Sequence, residues 1–349
     1  VPLRFLRTRC PKKCGDTDLS SIKILRYIIA FAVASAVGYF FYLEFKKNAD
    51  AISASHFTIS PFYLFIAMII GTMVFLIGPL VWRMYVNHYV NKKLNFYESV
   101  ALYNTSAMCK YIPGKIWTYA AQIALMSSKG ISAAILIYIN MVCFICLAFV
   151  AVMFALYYYL FSLKILAWEI SVLIFVLLIA LDVVFIVWNT KIINYLIILL
   201  NRIFKMEIEP VKIKRVIFVY TQMYYFLACL LLGVAMYFLA KGMGMEIPLS
   251  SIFAIMATIS VAGILGYLAF FTMGGLGVRE GAMFFMLKQF TGVETALILP
   301  VAARLLTIFV ELLMGAAGIF IGMKYGYFPK LGKSESREMI AEEAEADAQ

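Results

Sequence analysis

Six charged side chains stand where charge is costly. Arg279, Glu280, Arg304, Glu311 and Asp182 fall inside or beside long apolar runs, and Lys115 follows a Pro113-Gly114 pair in another. Charged groups in such surroundings face a cavity, a water-filled path or one another. Arg304 and Glu311 are seven residues apart, two helical turns, so they share one helix face. Arg279 and Glu280 come directly after Gly274-Gly275-Leu276-Gly277, where the chain reads as the first turn of a helix. A helix N-terminus offers unsatisfied N–H groups and the positive end of a dipole; with a guanidinium beside it, the place suits a phosphate. Lys115, after its own Pro-Gly break, repeats the arrangement more weakly. Two roles are open. In one, Arg279, Arg304 and Lys115, with the backbone of Gly274, Gly275 and Gly277, hold an anionic lipid headgroup. In the other, Arg279–Glu280 and Arg304–Glu311 are ion pairs that lock helices together. Asp182 has no basic neighbour in sequence, and is either a coupling carboxylate or a hydrogen-bonding partner for another helix or for Arg304.

Conventional catalysis is poorly supplied. The two histidines, His56 and His88, lie in different segments and form no HExxH pair that could ligate zinc. Of five aspartates only Asp16 and Asp18 are close together, so a Mg²⁺ site for pyrophosphate chemistry is not expected. There is no Walker loop and no GxSxG elbow. Cys143 and Cys146 form a CxxC within an apolar run, where thiols pack as small hydrophobes. No catalytic residue, metal or cofactor is expected.

The elements that must position these groups follow from composition. The chain has 349 residues, 64% hydrophobic and 14% charged, with mean hydropathy +0.93. A soluble domain sits near half apolar and about a quarter charged. The solvent here is lipid, and the fold class is an all-α polytopic membrane protein. Crossing about 30 Å of hydrocarbon takes about 20 apolar helical residues. Runs of that kind are 22–43, 62–85, 131–160, 165–188, 216–240 and 295–323; two more stretches, 96–128 and 250–290, are apolar but broken by glycines. Lys+Arg number seven in the tail through Arg26, six from Arg83 to Lys129, six from Lys191 to Arg215 and four after the last run. That is 23, against six in the alternate loops. The asymmetry implies both termini in the cytoplasm and six crossings. Residues 192–204, too short to cross, read as an interfacial helix. Residues 1–21 form a basic tail and 325–349 an acidic one.

The two interrupted stretches resemble each other at an offset of 161 residues: Ser99-Val100-Ala101 matches Ser260-Val261-Ala262, and Pro113-Gly114 falls on Gly274-Gly275. Each reads as a re-entrant hairpin, which irregular backbone at membrane depth permits only beside protein or a water-filled cavity. Residues 22–160 and 161–324 then form two units of three spans plus a hairpin. Three crossings per unit invert the second unit relative to the first, as in transporters.

The string Met273-Gly274-Gly275-Leu276-Gly277-Val278-Arg279-Glu280-Gly281, followed by Gly292 and Arg304, resembles the flippase-like transmembrane family, the membrane half of lysylphosphatidylglycerol synthase (multiple peptide resistance factor). Tyr111-Ile112-Pro113-Gly114-Lys115-Ile116-Trp117 and Gly130-Ile131-Ser132 resemble its earlier motif. Family members often carry Gly-Glu and a following Arg after that motif, where this chain has Trp117-Thr118 and Gln122. They often carry an Arg in the next span, where it has Asn140. The resemblance implies a multi-pass protein of the cell membrane that translocates or presents an anionic phospholipid or a polyprenyl-phosphate glycolipid between leaflets. The alternative is a non-catalytic subunit or scaffold for a separate synthase or glycosyltransferase. A second copy is a further candidate partner; nucleic acid is not. With about 25 residues after the last run, lysyl transfer by this chain itself is not expected.

Overall fold

The computed structural model describes residues 39, 42–43, 46, 58–89, 93–111, 116–126, 131–162, 168–204, 214–269, 275 and 277–328. Among them every regular element is helical: α1 (Pro61–Tyr89), α2 (Phe96–Met108) with a 3₁₀ turn (Cys109–Tyr111), α3 (Ile116–Met126), α4 (Ala133–Ser162), α5 (Trp168–Phe204), α6 (Arg215–Gly242), α7 (Ser251–Leu268), α8 (Val278–Leu287) and α9 (Val293–Lys324). α1 opens on a proline, whose missing N–H costs nothing at the first helical position. The Asn95 side chain caps α2 by accepting the Glu98 N–H at 2.7 Å. α9 closes on Gly326 at φ +64, with the Tyr327 N–H donating to the Gly322 carbonyl at 2.9 Å, a left-handed exit that glycine makes cheap.

Five of these helices, α1, α4, α6, α7 and α9, are long and apolar enough to cross a membrane. Four coincide with the expected runs 62–85, 131–160, 216–240 and 295–323. Residues 1–21, residues 329–349 and the run 22–43, apart from Tyr39, Tyr42 and Leu43, lie outside the described residues. Each interrupted stretch is a pair of helices about a break, α2 and α3 in the first, α7 and α8 in the second. α7 has 18 residues and is by length and composition a candidate span itself, longer than the half-crossing expected of it. α5 corrects the sequence reading. Rather than a span ending near 188 and a separate helix at 192–204, Trp168–Phe204 is one continuous 37-residue helix. The physical reason is that this stretch contains neither glycine nor proline, and Asn189-Thr190-Lys191 costs too little to stop a helix already propagating.

α1 and α6 run antiparallel. At one end the Ser60 N–H donates to the Gly242 carbonyl at 2.8 Å; at the other, Arg83 and Lys93 face Lys214 and Ile217 across a cleft. α2 and α9 are antiparallel as well: Met108 lies over Gly315 and Thr105 over Gly318, and Asn95 Nδ2 donates to Tyr327 Oη at 3.0 Å. α7 packs against α4, α6 and α8. The largest buried side chains, Trp82, Tyr85, Tyr138 and Phe218, meet where α1, α4 and α6 join. Apolar side chains such as Phe65, Leu177, Met223, Leu305 and Phe309 are exposed on the outside, a surface suited to lipid rather than water.

Candidate functional site

The second break fixes the start of α8. Gly277 takes φ +86, and its N–H donates to Glu280 Oε2 at 2.7 Å, so the carboxylate reaches back to cap its own helix. The other oxygen, Oε1, lies 3.6 Å from Arg304 Nε on α9, an electrostatic contact longer than a hydrogen bond. Gly275, at φ +77, leans so closely on Gly266 of α7 that an added Cβ would sit 2.8 Å from the Gly266 Cα and carbonyl oxygen. Arg279 emerges from this turn packed against Gly266.

Glu311 sits seven residues beyond Arg304, about 10 Å further along α9 at about 1.5 Å per residue. At that height α9 faces the end of α2 instead of α8. Lys110 Nζ lies 2.5 Å from Glu311 Oε1, and the Tyr111 hydroxyl donates to Oε2. Neither sequence pairing occurs among the described contacts. Arg304 meets Glu280 rather than Glu311, and Glu311 meets Lys110 and Tyr111, because two turns along one face point at two different neighbouring elements.

The two sets form one electrostatic group. The charges of Glu311, Arg304 and Arg279 all act on Lys110, and those of Arg304, Glu280 and Glu311 act on Arg279. Three cations and two carboxylates leave one positive charge over. Arg279 carries it: among the described residues its guanidinium has no hydrogen bond and no ion pair. Tyr267 lies beside this group. Arg279 on α8, Glu311 on α9 and Tyr119 on α3 act on it, and the Phe144 ring of α4 lies 5.7 Å away, yet 61% of Tyr267 is open. Tyr267 therefore stands next to both ion pairs with its side chain exposed.

A neutral pair lies between α3 and α4. Asn140 Nδ2 on α4 donates to Gln122 Oε1 on α3 at 2.7 Å, and Gln122 is 2% exposed. It ties α3 to α4 as Glu280–Arg304 ties α8 to α9. Of the other sequence candidates, Lys115 and Gly274 lie outside the described residues, and Asp182 lies on α5 with its side chain outside them. Lys110, Tyr111, Tyr119 and Tyr267 were not singled out by sequence. The signal for the first two was their place at the helix end just before Pro113-Gly114. No trio of His, Cys, Asp or Glu able to hold a metal occurs among the described residues.

A family model described as the lysylphosphatidylglycerol synthase TM region matches residues 27–315, most of the chain and all of this cluster. The chain belongs to that family. No curated protein matches it. As a member of the lysylphosphatidylglycerol synthase TM-region family with five apolar candidate spans, it is a multi-pass membrane protein related to lipid modification.

Proposed function

We propose that this protein moves an anionic lipid, or a lipid-linked saccharide bearing a phosphate, between leaflets, with the headgroup held at Arg279. One observation carries this reading. In a group where Lys110 and Arg304 each face a carboxylate, Arg279 is the cation without an ion-pair partner among the described residues, beside the exposed Tyr267. A guanidinium so placed matches a phosphate oxygen pair. Arg304, buried against Glu280, braces the turn that carries Arg279, which is a narrower role than a direct grip. Acyl or prenyl tails stay in lipid alongside the exposed apolar faces.

Alternating access between inverted units supplies the movement. Reciprocal packing supports the inversion: α1 and α6, corresponding elements of the two units, run antiparallel. α2 packs on α9 as α7 packs on α4, and α1 touches α9 as α6 touches α4. The breaks between α2 and α3 and between α7 and α8 are the re-entrant tips in this scheme, and the basic ends of α1, α6 and α9 face the cytoplasm of a cell membrane. The chain binds and carries rather than catalyses.

The test is translocation of a fluorescent anionic phospholipid in proteoliposomes, read by dithionite quenching. Arg279→Gln lowers the rate at least about tenfold, the scale of a lost charge-assisted contact, and Arg279→Lys recovers part of it. Wild-type rate in a well-folded Arg279→Gln protein overturns the grip. A second reading rests on the family's description as part of a synthase: a membrane subunit that presents lipid to a separate enzyme. Wild-type protein that binds anionic lipid but never moves it favours that one.

A further inference from the structure

A second cluster of cations lies away from Arg279, at the opposite end of α1 from Ser60. A cleft of about 500 Å³ is lined by Arg83, His88, Lys93 and Lys214, with Leu80, Met84, Ile217 and Tyr224 as its apolar wall. No acidic side chain lines it among the described residues. Its geometry is built rather than incidental. Arg83 Nε donates to the Leu94 carbonyl at 2.9 Å. Asn87 brackets the same residue, accepting the Leu94 N–H at 2.7 Å and donating to its carbonyl at 3.1 Å. These three bonds fold the chain after α1 back onto the helix and set Lys93 at the rim. Arg83's single bond uses Nε and leaves both terminal nitrogens for a ligand. Across the cleft Lys214 is the N-cap of α6, with no side-chain capping bond, so the 28-residue helix directs the positive end of its dipole at the same space.

Solvated loop cations spread apart; Arg83, Lys93 and Lys214 converge from two helices and a pinned loop. We propose that the cleft binds a phosphate group carried by an anionic lipid at the membrane surface. The cationic rim takes the phosphate, and the wall of Leu80, Met84, Ile217 and Tyr224 takes the glycerol and upper chains. That wall favours a lipid source over a free ion. The site does not depend on Arg279 and does not require that the protein translocate anything.

The experiment uses the full chain in neutral detergent, in an Arg279→Gln background so that only the cleft is counted. Dioctanoyl phosphatidic acid is the probe, with inorganic phosphate and dioctanoyl phosphatidylcholine as separate arms. Binding is read by native mass spectrometry and titration. Phosphatidic acid binds, and Lys93→Gln/Lys214→Gln weakens it about tenfold or more, two charge-assisted contacts being lost. Lys93→Arg/Lys214→Arg retains it. Both lysines are surface residues, and an unchanged elution volume shows that the variants fold. Equal affinity in the Gln variant and the parent overturns the site. Inorganic phosphate binding as tightly as phosphatidic acid, or phosphatidylcholine binding equally, overturns the anionic-lipid assignment.

Discussion

At Glu311 two donors from consecutive residues, Lys110 and Tyr111, converge on one carboxylate in the middle of α9. An ion pair taken out of water gains little over a well-packed apolar pair, but breaking it by removing one partner strands the other charge. Glu311→Gln preserves an acceptor for Tyr111 and removes the countercharge of Lys110. Lys110→Met does the reverse. Each single substitution therefore destabilises the protein, and the double substitution is less harmful than their sum, with a coupling of about 1–3 kcal/mol. A double-mutant cycle on unfolding in mixed micelles measures this; strict additivity would show that the pair is solvent-separated. Gln122 and Asn140 illustrate the same economy without charge, since the Asn140 amide gives the buried Gln122 oxygen a donor.

The turn that leads into α8 meets α7 backbone to backbone, at Gly275 and Gly266. Gly275→Ala adds a left-handed penalty of about 1–2 kcal/mol and drives a Cβ to 2.8 Å from the backbone of α7, where neither partner can yield. A loss of about 3 kcal/mol or more is expected. Gly281→Ala, one turn into α8 with nothing within 4 Å of its new Cβ, is expected to be neutral or to stabilise by up to about 1 kcal/mol, since alanine is the better helix former. Thermal unfolding of the two variants side by side checks the contrast, and equal midpoints would contradict it. Both breaks were legible in sequence, because Gly-rich strings interrupt otherwise unbroken apolar runs. The length of α5 was not. A polar triplet such as Asn189-Thr190-Lys191 looks like a boundary, yet backbone hydrogen bonding carries the helix through it. The pairing of Arg304 was not legible either, because face-sharing says which way a side chain points and not which element stands opposite.

Across the whole molecule, hydropathy alone located four of the five candidate spans, since lipid imposes length and composition on every crossing. Lys110 escaped notice because a charge count treats it as a loop cation, while its meaning depends on α9, two hundred residues away. The sidedness of the remaining charges has a structural counterpart. Lys93 and Lys214 share one cleft, and Asn95 beside Lys93 bonds to Tyr327 just beyond Lys324, so three basic regions distant in sequence lie at one end. Glu246 follows the far end of α6, next to the start of α1. In a cysteine-free background, Lys93→Cys and Lys214→Cys should therefore react with an impermeant maleimide only after cells are opened, and Glu246→Cys should react in intact cells. Lys93→Cys and Glu246→Cys reacting from the same side would break the antiparallel frame of α1 and α6. Inverting all three labels together would keep the frame and reverse only its orientation, because the frame rests on helix packing and the orientation on the 23-to-6 distribution of cations.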